Sequence, residues 1–259
     1  MERKKILYEE LQPDEFIEKI NTFPVAYLPL GTLEWHGLHL PLGADGIQAR
    51  GVFERIAYEV GGIVLPMLFL GPDRIINKGD TSYYGMDVLS FDEGESQQLE
   101  GTAYYINKDE FCMLLDAVMF NLSRAGFKVV VGHGHGPSTI TFSERKQVFK
   151  DKFGLSTYTL FDLGYTGEDG IQTDHAAANE TSLVMAIRPE LVSMEKLSED
   201  DIPIGVWGKD PRKAASAARG NAIIEKNVRL ACQKLVSIVS DIPKSERKLE
   251  YRNVKSLLG

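Results

Sequence analysis

Apolar runs of strand length alternate along this chain with segments whose apolar residues recur every three or four positions, and that alternation restricts the fold more than any other feature. Residues 23–30 (FPVAYLPL) read as a strand that stops at Gly31. Residues 46–60 place Ile47, Val52, Phe53, Ile56, Ala57 and Val60 on one helical stripe. A second strand is expected in 63–70 (IVLPMLFL), weakened or ended by Pro66, since proline has no N–H for a ladder. Asn107 followed by Glu110 predicts a helix start, and Phe111, Leu114, Leu115, Val118 and Leu122 carry that helix to about Arg124. Residues 127–131 (FKVVV) and 157–161 (TYTLF) read as further strands. A long amphipathic helix is expected over 211–239, with Pro211 suited to its first turn. Strands alternating with helices predict an α/β fold in three layers, α/β/α, around a mostly parallel central sheet. Residues 1–259 read as a single domain with one irregular segment, 71–105, holding Asp87, Asp92, Glu93, Glu95 and Glu100. That segment is either a solvated surface loop or a lid over a site.

Composition removes several functional classes. Of the 259 residues 43% are hydrophobic and 25% charged, which excludes collagen-like, disordered and low-complexity chains. The net charge of −8 argues against a nucleic-acid partner, because phosphate binding needs clustered positive charge. Cys112 and Cys232 lack CxxC partners, so neither a zinc ribbon nor a dithiol redox centre is expected. Both sit in helical-looking segments and read as buried small hydrophobes. The opening MERKKILYEELQPDEF has no uninterrupted apolar stretch and is not expected to act as a secretory signal. No window approaches the roughly 18 apolar residues of a membrane span, so the chain is expected to be soluble and cytoplasmic.

The chemistry concentrates in three short segments that together hold all five histidines: His36, His39, His133, His135 and His175. The first, GTLEWHGLHLPLGAD over 31–45, begins where a strand is expected to stop, the place where open parallel sheets bind ligands. Glu34 and His36 are two apart, so extended backbone turns both to one face. Asp45 returns after a Pro- and Gly-containing loop, just before a helix, either as a third ligand or as a helix N-cap. Carboxylate, imidazole and carboxylate make a donor set suited to Zn, Mn or Fe(II). The second segment, VGHGHGPS over 131–138, follows another strand. A phosphate cradle competes with a metal ligand there, but neither GxGxxG nor GxxxxGK[ST] is present. The third, DHAAANETS over 174–182, holds His175 and Glu180. It reads as site residues on one element or as a helix entry capped by Asp174.

The three segments resemble the creatininase family of creatinine amidohydrolase-like metal hydrolases. GTLEWHGLHLPLGAD is a near-complete match to that family's first motif; HGHGPS keeps His135 in the family's histidine place; HAAANETS keeps the leading histidine and the Glu-Thr-Ser. GKDPRKAASAARG resembles the family's closing segment, so the likeness spans nearly the whole chain. The resemblance implies two divalent ions per chain (Zn, Mn or Fe), with Asp45 bridging, Glu34 and His135 on one ion, and His36 and Glu180 on the other. It places His175 as the catalytic histidine, with Asp174 beside it to orient the ring. It also implies a homo-oligomer, a hexamer, with residues of a neighbouring subunit near each pocket.

Departures from the family pattern shift the expected substrate. Ala178 stands where the family has a glutamate, and His133, Pro137 and Ser138 replace residues expected on the substrate side. The expected activity is therefore metal-dependent hydrolysis of a cyclic amide or related small molecule other than creatinine. The alternative with the same centre is C–C bond hydrolysis in a cyclic polyhydroxy diketone. The alternative of another class is an inactive metal-binding subunit.

Overall fold

The computed structural model of the chain describes residues 4–89, 97–98, 101–199 and 203–250. In chain order its strands are β1 (Val25–Leu30), β2 (Ile63–Val64), β3 (Ile75–Lys78), β4 (Thr81–Tyr84), β5 (Val88–Leu89), β6 (Gln97–Gln98), β7 (Val129–Gly134) and β8 (Ser156–Tyr158). Its α-helices are α1 (Pro13–Thr22), α2 (Ala44–Val60), α3 (Lys108–Arg124), α4 (Gly136–Glu144), α5 (Lys146–Phe153), α6 (Leu160–Leu163), α7 (Ala178–Ile187), α8 (Pro211–Ala214) and α9 (Ala217–Ser240). Four strands form the central sheet in the order β2-β1-β7-β8, and every pairing in it is parallel.

Period-two geometry divides β1 between two cores. Val25 and Tyr27 pack with Val52, Phe53 and Ile56 of α2, Leu183 of α7 and Ile224 of α9. Ala26, Leu28 and Leu30 pack with Phe111, Leu115 and Met119 of α3 and with Phe142 and Phe149. All six residues of β1 are buried, as a strand covered on both faces requires. The architecture is the three-layer α/β/α arrangement around a parallel sheet.

Several boundaries differ from the sequence expectation for local reasons. The run at 63–70 pairs as a strand only over Ile63–Val64, with one further bridge from Leu68 to Leu30 beyond Pro66. TYTLF is half strand and half helix, because the Thr159 hydroxyl accepts the Asp162 N–H and starts α6. The long C-terminal helix breaks in two: Asp210 caps α8, and the Ser216 side chain accepts the Arg219 N–H to start α9. Asp45 is neither before α2 nor its cap; Gly43 holds the cap position and Asp45 lies in the first turn. Asn107 caps α3 with the reciprocal Glu110 contact that the sequence predicts.

The 71–105 segment is more ordered than a solvated loop. It carries the antiparallel hairpin β3–β4 and the pair β5–β6. Asp87 is buried and accepts the N–H groups of Tyr84, Gly101 and Thr102. Asp92, Glu93, Glu95 and Glu100 lie outside the described residues. Cys112 and Cys232 are free and half-buried; burial raises the Cys232 thiol to about 11. Among the described residues no helix is long and apolar enough to cross a membrane.

One contact fixes the C-terminal end of the sheet. Gly134 pairs with Leu30 at a φ of +148°, and a Cβ there would overlap the Leu30 carbonyl oxygen. The same oxygen accepts the His135 N–H at 2.7 Å. Gly134→Ala therefore forces β1 and β7 apart at this end. A loss of at least about 2 kcal/mol is expected, read as a fall of about 4–8 °C in melting temperature; an unchanged melting curve would show that the close approach is dispensable.

Candidate metal centre

The residues singled out by the three motifs meet at the C-terminal edge of the sheet. Glu34 and His36 lie in the loop after β1, which is closed by the Glu34 N–H donating to the Leu42 carbonyl at 3.1 Å. Asp45 and Glu180 occupy the first turns of α2 and α7, and His135 is the residue before α4. Three helix N-termini thus point their partial positive charge at one cluster. Glu34, His36, Asp45, His135 and Glu180 are each no more than 4% exposed.

Asp45 stands between the two histidines. Its Oδ1 is 3.6 Å from His36 Nε2, and its Oδ2 is 3.2 Å from His135 Nδ1. Glu180 Oε2 lies 3.7 Å from the same His36 nitrogen, and Glu34 Oε1 lies 3.3 Å from His135 Nδ1. His36 Nε2 is buried without a hydrogen-bond partner. Two donors each about 2.1 Å from a tetrahedral ion are about 3.4 Å apart, so these separations suit shared cations. Compact donor groups are His36–Asp45–Glu180, Glu34–Asp73–His135 and Glu34–His36–His175.

Both histidines are oriented from behind. His36 Nδ1 donates to the Glu34 carbonyl at 3.2 Å, and His135 Nε2 faces the Pro72 carbonyl at 3.3 Å. A carbonyl behind the ring fixes the tautomer whose other nitrogen is a free lone pair, as in metal-ligating histidines. Gln172 Nε2 donates to Asp45 Oδ1 at 2.9 Å.

Without a cation the cluster is strained electrostatically. Burial pushes the Glu180 carboxyl well up, with the Asp45 charge adding to it, and burial likewise raises Glu34 against the pull of His135. Burial acts upward on Asp45 too, but His36 and His135 outweigh it and hold that carboxyl well below its usual range. For His36 burial acts downward, and Asp45, Glu180 and Glu34 reverse it to about 10. Protons on the histidines are therefore what neutralises the carboxylates when no metal does so.

His175 and Asp174 are arranged differently from the sequence expectation. His175 Nε2 faces the Trp35 carbonyl at 3.0 Å, and the ring stacks on His36 with centroids 4.3 Å apart. Asp174 instead accepts the N–H groups of Asn179 and Glu180 at 2.7 and 3.0 Å. It serves the entry of α7, the capping alternative, and leaves the His175 ring to Trp35. Burial and the His36 charge push His175 down to about 3. The remaining histidines lie outside the compact donor groups: His39 Nε2 meets the Thr181 hydroxyl at 2.8 Å, and His133 faces the Ile171 carbonyl and Phe161.

The cluster opens into a cavity of about 460 Å³, a size suited to a small molecule. Its wall includes Arg74, Met86, Gln172 and Trp207, none of which the motifs indicated. Trp207 is bridged to His175 by two backbone hydrogen bonds, at 2.8 and 3.0 Å. Asp73 is the other residue that motif reading missed; its Oδ2 lies 3.2 Å from His135 Nε2. The only sequence signal for it was a carboxylate after a Gly-Pro turn at the start of the irregular segment.

Comparison with known proteins places the chain in a family and shows its fold. The creatininase family profile, described as creatinine amidohydrolase, matches residues 9–235. The creatinine amidohydrolase of Pseudomonas putida is 25% identical, over 78% of this chain and 84% of that protein. A structure described as "Creatininase Mn" superposes with a TM-score of 0.70 at 19% identity, covering 91% of this chain and 99% of the other. A mutant creatininase of "Zn-Zn type" gives 0.65 at 19% identity, with the same coverage. The motifs, the fold and the family match over most of the sequence agree, and the chain belongs to the creatininase family.

Proposed function

We propose that this chain hydrolyses a cyclic amide or related small molecule with two divalent ions held by Glu34, His36, Asp45, His135 and Glu180. The observation that carries the reading is Asp45, whose two oxygens face two different histidines. The donor set fits the ions: the buried His36 Nε2 lacks a hydrogen-bond partner, and the Zn-Zn and Mn creatininases share the fold. When bound, such ions acidify water and polarise a carbonyl.

The protein's own groups supply the rest. Asp45 would contribute to both positions, with Glu34 and His135 added at one and His36 and Glu180 at the other. Asp174 accepts the Glu180 N–H in the first turn of α7, and the Glu180 side chain is held by the Ala176 N–H at 2.8 Å. Because the Trp35 carbonyl can only accept, His175 carries its proton at Nε2 and keeps a lone pair at Nδ1. Nδ1 would take a proton from the attacking water only as a weak base and release it readily to the leaving nitrogen, because burial and the His36 charge hold the ring down to about 3. Ala178, buried at the start of α7, cannot share that task, so the transfer rests on His175.

Three outcomes test this reading. Elemental analysis of Mn- or Zn-loaded protein is expected to give two ions per chain, with Asp45→Asn losing both because each oxygen serves a different ion. Loaded protein screened against lactams, hydantoin-type rings and creatinine is expected to open a ring; full metal occupancy with no turnover would favour the inactive metal-binding subunit. With that substrate, His175→Ala should keep its metal and lose about 10²–10⁴-fold in turnover, whereas His135→Ala should lose metal first. Equal metal loss in the two variants would make His175 a ligand instead.

A homo-oligomer, a hexamer by family resemblance, is part of the same proposal. Met113 and Phe120 are 73% and 55% exposed on α3, an apolar surface of the kind subunit contacts cover. Sedimentation at micromolar concentration should show an assembly, and a clean species at 28.9 kDa would remove it.

A further inference from the structure

Asp73 is not among the residues that the motifs assign, and its surroundings do not explain a buried carboxylate. Its side chain is 10% exposed. Oδ1 accepts the Arg74 N–H at 2.8 Å, but Oδ2 is buried with no hydrogen-bond partner. His135 Nε2, 3.2 Å away, already faces the Pro72 carbonyl at 3.3 Å. Apart from that imidazole nitrogen, the oxygen is left short of a donor.

A second observation says what would compensate it. Asp73 Oδ2 and Glu34 Oε2 converge on Gly85 from the same side. A Cβ at Gly85 would overlap the first and lie 2.9 Å from the second, and the residue has a φ of +54°. The turn after β4 therefore leaves room for two carboxylates to approach each other. Asp73, Glu34 and His135 each offer a donor atom, and these atoms lie within 4.8 Å of one another. Two carboxylates and one imidazole at this spacing are a divalent-cation donor set.

We infer that Asp73 is a further metal ligand, joining Glu34 and His135 at one of the two ions. The inference rests on the two-ion reading above and deepens it. It makes the two positions unequal: the Glu34–His135 position gains a carboxylate that the His36–Glu180 position lacks. It also gives the 71–105 segment a direct part in the centre, through the residue just before β3.

The test compares the wild-type chain with Asp73→Asn by equilibrium dialysis against Mn(II) and Zn(II), with elemental analysis of the protein. Asparagine keeps the shape of aspartate and removes its negative charge, and with it most of the attraction for a divalent cation. One ion should weaken by at least about 100-fold, above the roughly 10–100-fold that follows loss of an outer hydrogen bond, while the other stays within twofold. If neither ion weakens by as much as about 100-fold, Asp73 is not a ligand and the five-residue centre stands alone. If the wild-type chain itself retains no metal, the two-ion reading fails first. Circular dichroism and melting curves establish that the variant is folded, and Asp73→Ala, which removes both oxygens, gives the same readout should the asparagine variant not accumulate.

Discussion

Repulsion among buried carboxylates is the constraint on which the centre depends. Glu34, Asp45 and Glu180 are almost fully removed from water, and each raises the cost of ionising its neighbours. The fold offsets this with two histidines and with the N-terminal turns of α2, α4 and α7. Neither is as compact as a divalent ion, and the His36 nitrogen facing Asp45 and Glu180 is too distant for a hydrogen bond. The scaffold therefore holds groups in an arrangement that packing alone would not select, the usual sign of a site kept for function.

What holds them there is the parallel sheet. β1 and β7 end side by side, and the Leu30 carbonyl reaches the backbone of His135. The loop after one strand and the turn after its neighbour then have little freedom to separate. Asp45 and Glu180 arrive from helices on the opposite side of that edge, through α2 and α7, which pack on the same face of the sheet. The positions of the charged groups follow from apolar contacts made one to three turns away.

Much of this was legible in the sequence because it depended on local geometry. Glu34 and His36 fall on one side of an extended loop after an apolar run, and the capping pair at Asn107 announces α3. The three motifs together carried the family likeness, the first of them the most specific. The central division between β1 faces was hidden, since a strand buried on both sides shows no alternation. Asp73 was hidden for a different reason: its place beside His135 is a tertiary contact between residues 62 positions apart, and no spacing records that. Asp174 and His175 are adjacent in sequence, yet one turns to cap α7 and the other to the Trp35 carbonyl. His39 and His133 could not be told from ligands either, because a buried histidine that meets a hydroxyl or a carbonyl has no distinguishing neighbour in sequence.

The chain's two tryptophans both attach to the same histidine. Trp35 is 1% exposed and receives the His175 ring on its carbonyl; Trp207 is 65% exposed, lines the cavity and pairs with the His175 backbone. A sheltered indole fluoresces at shorter wavelength than one in water, so the emission spectrum divides into an inner and an outer reporter. A molecule settling at the cavity wall would alter the surroundings of the Trp207 indole, whereas the Trp35 indole, which donates to the Met86 carbonyl, would report on the buried packing behind the His175 ring. The protein thus carries a two-colour gauge of its own site, readable without any label.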